Sequence, residues 1–274
     1  MNPAALSYPF LRHEFLQALE DSGSACEASG WYPIHLSLQQ HSDSAEGDSG
    51  SESQSNAAVM PLYLKDHSMG EYVFDHAWAN AYYQNGLEYY PKLVTSIPFT
   101  PSMGPRVRTE QPLSQEECTQ LVDEVLAVAA DTGASGWHFL FPSVEHRQLF
   151  KDPRLLQRSG VQYHWHNRDY QHFDDFLVTM NSRKRKMVRK ERADVAAQGI
   201  RVSIELGADI SPDLWGLFYQ LYERTYAKRN GSRGYLTEAF FTQIARTMPE
   251  QIAMAVAWID DQPVACALYF FDDE

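Results

Sequence analysis

Residues 182–201, SRKRKMVRKERADVAAQGIR, hold eight Lys or Arg against two Asp or Glu, a local charge of +6. The chain as a whole carries −13, so the remainder carries −19. A single basic segment on an acidic protein is a localised positive field, and such a field suits a phosphate-bearing partner. A solvated helix that takes its charge for solubility reads the same from composition alone. At helical spacing Arg183, Lys186 and Lys190 share one flank, while Arg185, Arg189 and Arg192 share the other. Arginine suits phosphate through its planar fork of donors.

Other reactive groups are less organised. His164 and His166 alternate and would share one face of a strand, half of a metal site. No acidic or Cys partner has ligand spacing, so packing against Trp165 and Tyr163 is the better reading, and no metal is expected. Asp66, His67 and Asp75 are each able to act as a base, and nothing singles one out. Tyr82, Tyr83, Tyr89 and Tyr90 fit a stacking surface or a core equally well. No G-x-S-x-G, H-E-x-x-H or phosphate-binding P-loop is present. Cys26, Cys118 and Cys266 are scattered, which excludes a disulfide scaffold and a zinc module and suits a reducing, cytoplasmic setting. Overall acidity excludes a DNA-coating protein. No run of 18 apolar residues marks a membrane span, and the first residues lack the pattern of a secretory signal.

The elements that must position these groups follow from periodicity. A first helix carries Phe10, Phe15, Leu16 and Leu19. WYPIHLSL (31–38) and AVMPLYL (58–64) form a hairpin around a polar, Ser-rich insert, 39–57, that has nothing to bury and is expected to be disordered. GEYVFD reads as a strand, as do WHFLF (137–141) and VQYHWHN (161–167), with a short helix over about 144–158. Ser114 and Glu117 form a capping box for a helix to about Thr132. A long basic helix starts at Asp174 or Asp175 and stops at Gly199, with Phe176, Met180, Met187 and Val195 as a thin apolar stripe. IRVSIEL is a strand, Ser211–Pro212 opens a second helix, Thr237 caps a third, and two strands flank Asp260–Asp261.

This order, helix, hairpin, strand, loop, helix, strand, resembles the GNAT acyltransferase fold. A second, shorter copy follows from 201. Two such units joined by a Lys/Arg-rich helix resemble the FemAB-like transferases. FLRHEFLQALEDSGS, MPLYLKDHSMGEYVFD, YYPKLVTSIPFTPSMGPR, YHWHNRDY and SRKRKMVRKER are similar to the bacterial proteins of that group named for peptidoglycan biosynthesis or recognition. The resemblance implies an α/β (α+β) chain of tandem GNAT-like units with mixed central sheets flanked by helices. The first unit would span 1–170, the linking helix 171–200, and an incomplete second unit 201–274, which implies a truncated chain without activity of its own.

The resemblance also implies roles. A GNAT unit holds acyl-CoA pyrophosphate on a strand-to-helix loop, here Thr100–Pro112 with Gly104 and Arg106. The family loop reads R/Q-x-x-G-x-G/A. This chain has one Gly among Pro101, Pro105 and Pro112, each of which removes a donor, so the first site is degenerate. In FemAB-like enzymes the basic helix and nearby Tyr and Lys residues line the substrate cleft. The matching residues are Arg183, Lys186, Arg189 and Lys190, with Tyr226, Arg229 and Lys65 weaker. The bland readings are a core aromatic for Tyr226 and a surface lysine for Lys65. Implied co-substrates are acyl-CoA or aminoacyl-tRNA, with no tightly bound cofactor, and the implied acceptor is an amine on a cell-wall precursor. Two rivals remain, a non-catalytic module that binds a precursor or nucleotide, and a basic helix that docks on RNA or an acidic protein.

Overall fold

A computed structural model describes residues 8–39 and 56–273. The architecture is mixed α/β. Among the described residues three small sheets are flanked by helices, and the elements follow in the order the periodicity predicts, with five local departures.

The predicted hairpin is present, but each arm is broken in two. Strands β1 (Tyr32–Pro33) and β2 (Leu36–Gln39) face β4 (Tyr63–Lys65) and β3 (Asn56–Met60). Pro61 has no N–H to continue the ladder, and Leu62 donates instead to His35 Nδ1 at 3.1 Å. The two halves therefore enter different sheets. One sheet runs β1-β4-β5-β7, with β5 (Lys92–Thr95) parallel to β7 (Trp137–Phe139). Another runs β2-β3-β6, with β6 at Arg108–Thr109. The insert predicted over 39–57 lies almost wholly outside the described residues. Its first residue, Gln39, is paired across the hairpin with Asn56, next to its last.

Helix α1 (His13–Asp21) follows a 3₁₀ turn at Pro9–Leu11. The stretch 70–75 is not a strand. Its acidic side chains turn inward, and it leads into α2 (His76–Gln84). Helix α3 (Gln115–Thr132) starts on the predicted capping box, with Ser114 N–H donating to Glu117 Oε2 at 2.7 Å and Glu117 N–H to Ser114 Oγ at 3.2 Å. The helix expected over 144–158 is only α4 (Val144–Leu149). It stops ahead of Pro153, where Arg154 N–H caps onto Asp152. Residues 161–167 form no strand and are exposed throughout.

The long basic helix is two helices, α5 (Phe173–Val178) and α6 (Ser182–Ala197). Asp175 accepts the backbone N–H groups of Gln171 and His172 at α5's start. Asn181 then breaks the run by capping α6, accepting from Lys184 N–H at 2.9 Å. Strand β8 (Arg201–Leu206), helices α7 (Pro212–Asn230) and α8 (Glu238–Thr247), and strands β9 (Ile252–Ile259) and β10 (Gln262–Phe270) complete the chain in a β10-β9-β8 sheet.

Two cores hold these layers. One packs α3 against Met60, Leu62, Leu93 and Phe150. The other joins Leu11, Phe15, Leu19, Trp31, Tyr63 and Val94 from the first half to Leu214, Phe240, Phe241, Ile244 and Met254 from the second. The N-terminal helix thus buries its apolar face on the far end of the chain, and this second core draws its residues from both halves. Polar contacts join the halves as well, with Arg12 pairing with Glu250 and Thr237 N–H donating to Ser24 Oγ at 3.1 Å.

Candidate functional site

The predicted phosphate-binding loop is closed. Gly104 N–H donates to Phe141 O at 3.2 Å, and Ser143 N–H to Gly104 O at 2.7 Å. A Cβ on Gly104 would lie 2.4 Å from the Tyr8 ring, so Gly is required there for close packing. Arg106 is buried. Its N–H donates to His146 Nδ1, and its guanidinium to the carbonyls of Leu140, Pro105 and Ser102. These donors are engaged within the fold, at the loop whose single Gly among three prolines read as degenerate. Arg106→Met should lower stability by about 1–3 kcal/mol by stranding buried carbonyls, measured by urea unfolding.

The basic helix lies open to solvent along its whole length. None of its residues is buried, and Met187 and Val195 of the expected apolar stripe are exposed. Arg189 pairs with Asp174 at 2.7 Å, Lys190 with Asp194 at 2.9 Å, and Arg192 stacks on Phe173. Arg183 and Lys186 make no ion pair among the described residues. The four residues predicted as one anion site therefore divide into two that are engaged and two that are available. Tyr226 and Arg229 sit elsewhere, near the C-terminal end of α7.

Lys65 is not a surface lysine. It is fully buried, with Nζ 3.7 Å from the centre of the Trp31 ring and donating to the carbonyls of Gly30 and Met69 at 2.9 and 3.3 Å. Directly across the ladder stands Lys92, also fully buried. Its Nζ contacts Asp75 at 2.6 Å, Ser68 at 2.7 Å and Glu71 at 2.8 Å. Two like charges opposite each other in a sheet repel, and the carboxylates of 71 and 75 make that arrangement tolerable. Tyr89 also donates to Asp75, at 2.7 Å, and Ser68 meets Tyr90 at 2.8 Å.

Burial sets the protonation here. It lowers Lys65 to a pKa of about 7, with Glu71 opposing and Lys92 assisting the shift. It raises Glu71, against the pull of Lys92. It disfavours the Asp75 carboxylate too, but hydrogen bonds from Lys92, Tyr89 and Ser68 win and hold Asp75 at about 2. His138, desolvated and close to Lys92, is lowered to about 4 and is neutral at pH 7.

Lys65 and Lys92 thereby fasten the segment 66–75 to the sheet as a strap. That strap holds Tyr72 at φ 58°, a left-handed backbone that costs a bulky residue about 1–2 kcal/mol. The Tyr72 hydroxyl lies 3.3 Å from that of Tyr226. Phe99, at φ 60°, stacks on Tyr235 with centroids 4.9 Å apart and planes 13° apart. The turn that carries Tyr235 is anchored as well, because Tyr222 OH accepts the N–H groups of Tyr235 and Leu236 at 3.0 Å each. An aromatic seam thus joins the two halves, with Lys65 beneath it. Of the weaker candidates, Lys65 and Tyr226 meet at this seam through the strap, one as its anchor and one as its contact.

Sequence reasoning missed Glu71, Lys92, Ser68 and His138. One signal was available, since Lys65 ends and Lys92 begins a short strand, each directly against apolar residues, Leu62–Leu64 and Leu93–Val94. A lysine in such a place is buried and must find partners.

The family described as peptidoglycan biosynthesis/recognition, FemAB-like, matches residues 2–274, and the chain belongs to this family. No curated protein matches the chain. Among the described residues no helix is long and apolar enough to cross a membrane, and no group of three or more His, Cys, Asp or Glu residues is placed to hold a metal ion.

Proposed function

We propose that the chain serves acyl or aminoacyl transfer to an amine of a cell-wall precursor. The observation that carries the reading is the exposed α6, where Arg183 and Lys186 make no ion pair among the described residues of an otherwise acidic chain of this family. These two side chains take the phosphates of a nucleotide-linked precursor, or of an aminoacyl-tRNA donor. In the reaction, the acceptor nitrogen attacks the activated carbonyl and a C–N bond forms. The C–O bond of an aminoacyl ester, or the C–S bond of a thioester, breaks. The amine proton leaves as the alcohol or thiol departs. Positioning and charge stabilisation supply the rate. Nucleotide-linked precursors and aminoacyl-tRNA are cytoplasmic, and the reaction belongs there.

The engaged donors of Thr100–Pro112 favour aminoacyl-tRNA over acyl-CoA for the first half. They equally favour a second reading, a module that binds the precursor without transfer. Incubating the chain with labelled aminoacyl-tRNA or acyl-CoA and a UDP-linked precursor decides between them. Label in the precursor supports transfer, and saturable binding without label supports the module. The double variant Arg183→Ala, Lys186→Ala should lose at least ~10-fold in precursor affinity at low salt, with the gap closing as salt rises. Precursor affinity unchanged by the double variant would sink the role given to α6.

A further inference from the structure

Between Val161 and Val195 the chain leaves apolar side chains in water that neither core takes in. Tyr163 is 99 % exposed, Val161 82 %, Val178 64 % and Trp165 63 %, and Met187 and Val195 are exposed on α6. Side chains this open contribute little packing, and a cluster of them marks an interaction surface. Contacts place the cluster beside the basic helix. Trp165 packs edge-on against Phe176 of α5, with centroids 6.0 Å apart, and Phe173 lies 5.9 Å from Phe176. Arg192 of α6 sits over the Phe173 ring at 4.1 Å, and Arg189 pairs with Asp174. Val161 and Tyr163 precede Trp165 closely, with at most about 14 Å of chain between the first of them and Trp165.

Two properties choose the partner. The first is charge. Residues 182–201 carry +6 on a chain whose remainder carries −19. An anionic surface attracts this helix and repels the rest of the molecule, so this is the face that meets it. Arg183, Lys184 and Lys186 make no ion pair among the described residues, and Glu191, between Met187 and Val195 on the helix, is outnumbered.

The second property is the kind of apolar group. Val161, Val178, Met187 and Val195 have no ring to stack on a base, and Arg192 already covers Phe173, which separates this surface from that of a single-stranded nucleic-acid binder. Aliphatic side chains reaching out beside Trp, Tyr, Lys and Arg suit the boundary between lipid headgroups and acyl chains. Among the described residues no helix is long and apolar enough to cross a membrane, so the contact lies along the surface.

We propose that α6 and the segment 161–178 dock on an anionic lipid surface, with the cations of α6 on the headgroups and Val161, Tyr163, Trp165 and Val178 in the interface. The proposal goes beyond the transferase reading and does not depend on it. That reading uses Arg183 and Lys186 for a precursor, whereas the apolar residues belong to the docking surface alone.

Co-sedimentation of the whole chain with vesicles tests it. Vesicles of equal parts phosphatidylglycerol and phosphatidylcholine should bind the chain at least ~10-fold more tightly than phosphatidylcholine alone, with the gap closing as salt rises. The variant Val161→Ser, Tyr163→Ser, Val178→Ser should lose about 10-fold in affinity for the anionic vesicles. Its Tm and its affinity for a UDP-linked precursor should stay at wild-type level, whereas Arg183→Ala with Lys186→Ala should weaken both vesicle and precursor binding. Wild-type vesicle affinity in the triple Ser variant overturns the proposal, as does equal binding to the two kinds of vesicle. Binding to a single-stranded RNA oligomer with none to vesicles overturns it too, and leaves the transferase reading standing. Vesicle binding without precursor binding sinks the transferase role of α6 and supports the docking surface.

Discussion

Lys92→Met should destabilise the protein by about 3–5 kcal/mol, a loss that urea unfolding reads directly. The reason is asymmetric. Lys92 is the common partner of Glu71 and Asp75, both buried, and their second oxygens, Glu71 Oε1 and Asp75 Oδ1, accept no hydrogen bond among the described residues. Removing the ammonium leaves two carboxylates in a desolvated site, and breaking a buried ion pair from one side costs far more than the pair contributes. Neutralising the site from both sides should recover much of the loss. Lys92→Met combined with Glu71→Gln and Asp75→Asn should therefore be more stable than Lys92→Met alone. A triple variant less stable than the single one would mean that packing, not charge, holds the strap.

Lys65 should set the pH dependence of stability above neutrality. The unfolded chain protonates this lysine below about 10.5, and the folded chain only below about 7. Between those values the unfolded state holds the extra proton, so stability rises as pH rises from 7 to 10.5 and levels off below 7. Lys65→Met fits the same apolar slot over Trp31 and has no proton to take up. Its unfolding free energy should gain on wild type as pH is lowered from 10 to 7, by on the order of 3 kcal/mol across the window. The variant forfeits the bonds to Gly30 O and Met69 O at every pH, which offsets the gain by a constant and does not change its slope. A difference between the two proteins that is flat from pH 7 to 10 would show that Lys65 is charged in the folded state throughout.

Much of the local structure was legible in the sequence. Ser114, Ser211 and Thr237 each cap the helix they were expected to cap. The hairpin at Asp260–Asp261 forms as read, with both aspartates in left-handed backbone. These signals act over a few residues, and short-range chemistry suffices to set them. The misreadings have long-range causes. Residues 70–75 have strand composition in Tyr72, Val73 and Phe74, but Glu71 and Asp75 are drawn inward by Lys92, about 20 residues downstream in sequence. Residues 161–167 have strand composition and no neighbouring strand among the described residues to pair with. The run from 174 to 199 is helical throughout in propensity, and Asn181 divides it only because its side chain finds the Lys184 N–H.

The candidate site divides along the same line. The basic character of 182–192 follows from residue types alone, since an exposed helix needs nothing further to display its charge. Composition could not say which of its cations remain available. Asp174 and Asp194 settle that by reaching Arg189 and Lys190 and leaving Arg183 and Lys186. Family membership, too, was written in the sequence. The buried lysines, the strained Tyr72 and the seam with Tyr226 were decided by tertiary structure. Each depends on groups from separate segments meeting, and for the lysines they meet in a space closed to water, where an unpaired charge is too costly to leave alone and partners must be found across the fold.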